Sequence, residues 1–456
     1  MEGNRARKRI LALLDTGSFV EVNALVTART TNFSVKPKME SPDGVIAGYG
    51  QIEGNPVFVY SQDKDSLGGT MGEMHAKKIC RLYDLAAKTG APVIGFLDSA
   101  GFRLDESVDA LDAFGSVLEK QMHTKGNCLQ ICGVFGQCAG GLTFIPALAD
   151  FTYMSSGAAL FVNPPHTIAD DGTLARNFDT AEYPNTVSGQ AQVLPSEENV
   201  INAIRELVLF LEDRSYGVCE EEELNRMISP AVVQRADIRA LLAECADSRF
   251  LEIRPDFCPE MVTGFLKLNG ILVGAIGNAS ALYDAKGEKR ADLPKGLTPG
   301  GCRKAAQFVH FCNAFGLNLL TVGAADGFEK SARSQARLSG ALAQLVQELY
   351  LAKGSTRVSL LIGDTYGTAY TVMNAKAFGG ADLTFAWSGI KTGMLPADQA
   401  AAILYADQDI AETAAQAAAF DQFQNAVESA AARGSVDAVI DPAETRKHLI
   451  MAFSML

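Results

Sequence analysis

The sequence predicts an α/β protein built from two copies of one domain. Three observations predict it: a long internal repeat, an alternation of short buried strands with helices inside each copy, and one glycine-rich strand-to-helix turn per copy. The repeat holds a register, because Lys304 follows Lys78 by 226 residues, Gly327 follows Gly101 by 226, and Gly367 follows Gly140 by 227. A period that long is too large for a solenoid and means domain duplication. Strands alternating with helices predict a parallel-rich sheet with helices packed outside it.

In the first copy, "GQIEGNPVFVYSQD" reads as a strand pair, and "GGTMGEMHAKKICRLYDLAAKTG" as a glycine turn followed by a helix with apolar spacing at Ile79, Leu82, Leu85 and Ala86. "APVIGFLDSAGF" reads as a buried strand ending in a polar turn. "QICGVFGQCAGGLTFIPALADFTYM" reads as strand, tight turn, short helix and strand. The second copy repeats the order in "FLKLNGILVGAIGN", "LTPGGCRKAAQFVHFCNAFG", "LNLLTVGAADGF" and "VSLLIGDTYGTAYTVMNAKAFGGADLTFAW". Between them, residues 164–198 form a Pro-, Asn-, Asp- and Thr-rich excursion, "NVINAIRELVLFLEDR" forms an amphipathic helix, and the acidic stretch Glu220–Arg226 begins a linker. The boundary is expected within 215–245, giving domains at 1–230 and 231–456. The Ala-rich tail 399–433 reads as helix, since Ala and Gln favour it and Gly is absent until Gly434.

Composition narrows the function. The 456 residues include 48% hydrophobic and 20% charged residues, with a formal net charge of -13, which argues against nucleic acid or an anionic membrane as the main partner. The nine Cys form no CxxC pair or Cys/His cluster, so no zinc or other metal is expected. No apolar signal core or membrane-length run is present, and the expected compartment is the cytoplasm.

The doubled turn carries the chemistry. Glycine lets backbone N–H groups approach an oxygen anion, and preorganised N–H donors are often the largest catalytic contribution. Two such turns suggest one site serving two partners that exchange a group; the alternative is that each turn only closes a βα unit tightly.

These stretches, together with "RILALLDTGSFVEV", "DGVIAGYGQIEGNPVFVYSQD" and "SGQAQV", resemble the biotin-dependent acyl-CoA carboxyltransferases: the β subunits of propionyl- and acetyl-CoA carboxylases and the α subunits of methylmalonyl- and glutaconyl-CoA decarboxylases. The resemblance runs from about residue 9 to about 405. It implies a duplicated crotonase (ClpP-like) fold of two similar ββα-superhelix domains, with the acyl-CoA on the first and biotin on the second, across a dimer interface. It further implies that the amides of Gly140 and Gly141 face the thioester oxygen, with Ala100 and Gly101 close by, while Thr368 and Ala369, after Gly367, bind the biotin carbonyl. Carboxyl transfer passes through an enolate and a biotin ureido anion, so two oxygens develop charge and two turns are needed. No general base is then required, and none of the five His lies in either turn. The implied partners are an acyl-CoA, a separate biotin carboxyl carrier protein, and either a biotin carboxylase or a membrane decarboxylase subunit, around a homo-oligomer, most simply a trimer of dimers. A decarboxylase subunit feeding a sodium pump and a non-catalytic paralogous subunit are the alternatives.

The resemblance breaks in places. Asp326 stands where the family has Pro, Thr368 where it has a second Gly, and Thr371 where it has an acidic residue, so propionyl specificity does not carry over. The loop 324–340 and the excursion before "SGQAQ" also depart from the family pattern. Among other candidates, Arg103 reads as an anion contact. Lys77, Lys78, Arg303 and Lys304 read either as contacts to CoA phosphates or as solvated helix faces. His75 reads as a packed or capping group rather than a base, and Cys138 as a small buried filler rather than a nucleophile.

Overall fold

The computed structural model describes residues 4–34, 42–164, 167, 178, 180–212, 220–351, 355–374, 376, 381–407 and 410–456. The chain divides into two compact units, Met1–Asp213 and Arg214–Leu456. Within the excursion expected at 164–198, residues 165–166, 168–177 and 179 lie outside the described residues.

Each unit is built on a seven-stranded sheet. In the first, the strands run in the order Val20–Glu21, Val45–Ile52, Asn55–Gln62, Val93–Leu97, Gln130–Val134, Phe151–Ser155, Gln192–Leu194. The first two pairings are antiparallel and the rest parallel. The hairpin closes at Glu53 and Gly54, both with positive φ. The helices Glu73–Thr89, Val108–His123 and Phe144–Leu148 lie in the crossovers that parallel pairing demands, and Glu197–Glu212 follows the last strand. Ile79, Leu82 and Ala86 have no exposed surface and fall on one helical stripe, where they meet Tyr60, Val93 and Val134 of the sheet in one core cluster.

The second unit repeats this order with Leu251–Glu252, Met261–Leu268, Ile271–Asn278, Asn318–Gly323, Arg357–Leu361, Leu383–Trp387 and Ala438–Ile440, again with two antiparallel pairings followed by parallel ones. The helices Pro299–Ala314 and Leu338–Leu351 take the places of Glu73–Thr89 and Val108–His123. Segment 220–247 is folded onto this unit. Ile228, Val232, Ile238, Leu241 and Leu242 enter its core, the Ile228 N–H donates to the Ala443 carbonyl at 2.9 Å, and the fully buried Arg446 bonds the Glu223 carbonyl and the Asp247 carboxylate.

The Ala-rich tail differs from the continuous helix that propensity predicts. It is divided into Ala397–Leu404, Ile410–Phe420 and Val427–Ala432, with a wide turn at Asp421–Asn425 and Ala426 extended. The break is tertiary in origin. Asn425 is buried, donates its side-chain amide to the Leu395 carbonyl at 3.0 Å, and bears on Gly393, and this holds the chain where helix propensity alone would carry it straight on.

Candidate functional site: paired turns at the strand ends

In the first unit the buried strand Val93–Leu97 delivers the turn Asp98–Arg103, and Gln130–Val134 delivers the short strand Gln137–Ala139, which pairs in parallel with Ala159–Phe161. Gly140 follows at φ +64 and starts a 3-10 turn, Gly140–Thr143, that runs into the helix Phe144–Leu148. A side chain rarely tolerates that φ, and the start of a helix leaves its leading N–H groups without acceptors inside the helix. The carbonyl of Gly140 is taken by the Thr143 hydroxyl at 2.7 Å. Gln190, in the "SGQAQ" stretch, donates to the Thr143 carbonyl at 3.4 Å and ties the end of the excursion to this turn.

The two turns touch. The Ser99 N–H donates to the Gln137 carbonyl at 2.8 Å, and a Cβ on Gly141 would lie 3.1 Å from the Phe102 ring. The structure therefore brings Ala100, Gly101, Gly140 and Gly141 to one end of the sheet, with Ala100 exposed and the three glycines half-buried. Gly101, at φ +119, offers its carbonyl to Met71 N–H at 2.9 Å, and the Met71 carbonyl accepts from Arg103 N–H at 2.9 Å.

The second unit repeats these bonds. The Leu297 N–H donates to the Gly327 carbonyl at 3.0 Å, and the Glu329 N–H to the Leu297 carbonyl at 3.1 Å. With Asp326 where the resemblance implies a proline, the turn's backbone pattern still matches that of the first unit. Thr365–Tyr366 pairs in parallel with Thr392–Gly393, and Gly367, at φ +65, opens the helix Gly367–Asn374. The Tyr366 N–H donates to the Ala325 carbonyl at 3.3 Å and joins this turn to the 324–328 turn. Thr368 is exposed, Gly367 and Thr371 are half-buried, and Ala369 is fully buried, so the two residues expected to act as a donor pair differ in access within this unit. Beside the 324–340 loop lies an open cavity of about 510 Å³ lined by Phe328, Glu329, Lys330, Ser331, Gln335 and Leu338.

Several side chains stand differently from expectation. Arg103 is not an open anion contact. It is 3% exposed, and its guanidinium is held by Asp43 at 2.6 Å, Glu106 at 3.0 Å and the Thr70 carbonyl at 2.7 Å. Glu106, which no sequence signal marked, also accepts the Glu73 N–H at 2.6 Å and so caps the helix Glu73–Thr89. Burial pushes the Asp43 carboxyl up to about 6, with Arg103 opposing the shift.

Lys78 and Lys304 are neither phosphate contacts nor solvated. Both are buried, and their ammonium groups donate to backbone carbonyls: Lys78 to Val45 at 2.8 Å and Pro42 at 3.0 Å, Lys304 to Phe257 at 2.7 Å. Burial lowers them to about 8 and about 7. Lys77 stays at the surface, paired with Glu73 at 2.7 Å. His75 is fully buried, and desolvation, reinforced by Arg103 and Lys78, holds it well below the usual imidazole range, so it is packed and neutral. The Cys138 thiol is buried and raised to about 12 by desolvation, far from a nucleophile's range. Among the described residues, no group of His, Cys, Asp and Glu could hold a metal ion, and no helix is long and apolar enough to cross a membrane.

The family model described as "Carboxyl transferase domain" matches residues 2–456. A Bacillus subtilis (strain 168) protein with the provisional name propionyl-CoA carboxylase beta chain is 35% identical over 99% of this chain and 90% of its own length. The methylmalonyl-CoA decarboxylase subunit alpha of Propionigenium modestum is 32% identical over 99% of this chain and 90% of its own. Among solved structures, transcarboxylase 12S, described as a hexamer with methylmalonyl-coenzyme A and methylmalonic acid bound, superimposes with a TM-score of 0.88 at 29% identity, covering 99% of this chain and 89% of that one. The two similar units with their parallel sheets agree with the duplicated crotonase-like fold expected from the sequence.

Proposed function

The chain belongs to the carboxyl transferase domain family and is a carboxyltransferase of the acyl-CoA carboxylase and decarboxylase type; on that premise we propose that it moves a carboxyl group between biotin, carried on a separate protein, and the α-carbon of an acyl-CoA. The observation that carries the proposal is the repetition of one turn: Gly140 and Gly367 sit at φ +64 and +65, each at the start of a helix and each beside the end of a neighbouring strand.

In this reading the first unit receives the thioester. The N–H groups of Gly140 and Gly141, flanked by Ala100 and Gly101, stabilise the enolate oxygen while the α-carbon gains or loses the carboxyl group. The second unit receives the biotin ureido group, and the N–H groups of Thr368 and Ala369, after Gly367, stabilise its oxygen, with Thr371 on the same helix shaping what fits. Access to the buried Ala369 N–H requires the biotin to draw close to the helix start. Biotin supplies the carboxyl carrier chemistry when bound; the chain's own residues bind, orient and hold charge. No side-chain base is needed, because loss of the carboxylate from one partner generates the base that deprotonates the other. The buried, neutral His75 is in keeping with that. The methylmalonyl-coenzyme A in the transcarboxylase 12S structure supports an acyl-CoA as substrate, and its hexamer supports a homo-oligomer here. The retained backbone bonds of the 324–329 turn favour a catalytic chain over a non-catalytic paralogue.

The test is to incubate the pure protein with a carboxybiotin-bearing carrier and a panel of acyl-CoAs, with the assembly measured by light scattering. Transfer of the carboxyl group to one or more acyl-CoAs by an oligomer is the expected outcome. A folded protein that transfers to none, or a monomer with full activity, contradicts the proposal.

A further inference from the structure

The two units share a turn but brace it differently. Ala324, 226 residues after Asp98, carries no charge; its N–H donates to the Asn278 side chain at 3.0 Å, and a Cβ on Gly363 would rest 3.2 Å from the Ala324 methyl. In the first unit the equivalent backbone bond is kept, with the Asp98 N–H donating to the Gln62 side chain at 3.1 Å, but a carboxylate now occupies the space behind the turn. It is 2% exposed. One oxygen, Oδ2, accepts both Nη1 and Nη2 of Arg9 at 3.1 Å. The other, Oδ1, has no hydrogen-bond partner among the described residues and lies against Gly136, where a Cβ would come within 2.0 Å of it.

Gly136 is the residue that opens the "GQCAGG" turn. Asp98 therefore stands at the joint between the two turns of the first unit: it begins the 98–103 turn, and its side chain abuts the start of the 136–141 turn. Arg9 holds that side chain from the N-terminal helix Arg5–Leu13. Arg9 is itself 3% exposed, makes two bonds to Glu197 at 2.9 and 3.0 Å, and lies over the Phe135 ring at 4.7 Å from its centroid. A buried ion pair of this kind is weak evidence for stability, because desolvation offsets much of the attraction, whereas a guanidinium forked onto both Glu197 oxygens through Nε and Nη2 and converging on Asp98 Oδ2 through Nη1 and Nη2 is well fixed in position.

We propose that Arg9 and Asp98 are positioning residues that set the spacing between the 98–101 and 136–141 turns, and with it the aim of the N–H groups at the thioester oxygen. The inference rests on the carboxyltransferase reading above. It accounts for a feature that reading leaves unused: a buried charge pair behind one turn and a neutral contact behind its copy. Misplacing a reacting group by about 1 Å can cost on the order of 100-fold in rate.

The experiment uses the full-length protein, with Asp98→Asn as the principal variant, Arg9→Lys as a second that keeps the charge but loses the fork, and Leu13→Ala as a control that loosens the same helix from its packed face. Two quantities are read: α-proton removal from an accepted acyl-CoA in the presence of the carboxybiotin-bearing carrier that generates the base, split into kcat and KM, and amide hydrogen exchange over 98–103 and 136–141. The expected result is a kcat lower by roughly 10–100-fold in Asp98→Asn with KM within about twofold, a smaller fall in Arg9→Lys, and faster amide exchange in both turns together. Equal losses in Leu13→Ala and Asp98→Asn would assign the effect to helix packing and overturn the inference, as would unchanged amide exchange in the two turns. Wild-type exchange that Asp98→Asn leaves untouched overturns this inference alone. A wild type that, with that carrier present, removes no α-proton from any acyl-CoA overturns the functional reading, and the positioning role with it.

Discussion

Replacing Gly140 separates the conformation of the first turn from its hydrogen-bond donor. At φ +64 a side chain is strained by about 1–2 kcal/mol, but a Cβ built on Gly140 meets no atom within 4 Å. Gly140→Ala therefore costs only the backbone strain. In a unit of this size, about 2–4 °C per kcal/mol translates that into a fall of roughly 2–8 °C in Tm. The N–H is retained, so α-proton exchange should stay within about tenfold of wild type, less than the loss of a donor would cost. Gly140→Pro acts otherwise. Its ring holds φ near −65°, about 130° from the native value, so it removes the N–H of residue 140 and turns the following peptide, with the Gly141 N–H, away from its native direction. Ala139 is already extended at φ -128 and ψ 157, the conformation that precedes proline without clash, so the change begins at residue 140. Loss of one oxyanion donor costs about 2.7–4 kcal/mol, and exchange should fall by roughly 100–1000-fold, while binding of the biotin carrier is retained. Exchange is followed, with the carboxybiotin-bearing carrier present to generate the base, by the loss of deuterium from an α-labelled acyl-CoA, and folding by circular dichroism. A folded Gly140→Pro protein that exchanges at the wild-type rate would refute the assignment of the enolate site to this turn.

The same logic applies to the second turn, where Thr368 is exposed in the first turn of its helix and so in a place that accepts proline. Thr368→Pro should lower turnover of carboxybiotin by about 100–1000-fold, and Thr368→Gly should preserve or raise turnover of free biotin; equal rates for wild type and Thr368→Pro would remove this turn from catalysis. Lys304 yields a pH dependence. Its pKa of about 7 in the folded protein lies below the ordinary 10.5, so between those values the unfolded chain binds more protons and stability rises with pH by about 1.4 kcal/mol per unit. Lys304→Met should lose that rise, and denaturation midpoints that climb in parallel for both proteins from pH 7 to 10 would contradict it. Cys138→Ala should leave the pH profile of carboxyl transfer unchanged, since a buried thiol raised to about 12 takes no part in it; loss of activity in a folded variant would reopen a nucleophilic role.

Much of the architecture was legible because its signals are local. The strands Val93–Leu97 and Gln130–Val134 are continuous apolar runs, the helix Glu73–Thr89 shows its stripe at Ile79, Leu82 and Ala86, and Gly140 and Gly367 occupy the positions where the chain takes positive φ. Each pattern follows from the period of an element or the φ of one residue, and the 226-residue register let each copy check the other. The sequence by itself thus determined the duplication, the strand-and-helix order and the location of the two turns.

Which charges are spent inside the protein was decided only by the tertiary structure. Lys78 and Lys304 read as helix-face cations until the folded chain brings the carbonyls of Pro42, Val45 and Phe257 onto their ammonium groups. Arg103 reads as an anion contact until Asp43, 60 positions earlier, and Glu106 close its guanidinium. The Arg9–Asp98 pair joins residues 89 positions apart, and its contact with Gly136 depends on two parallel strands lying side by side. No period or propensity encodes such meetings, because the free energy of a buried charge depends on which dipoles and counter-charges surround it, and that neighbourhood exists only once distant segments have packed.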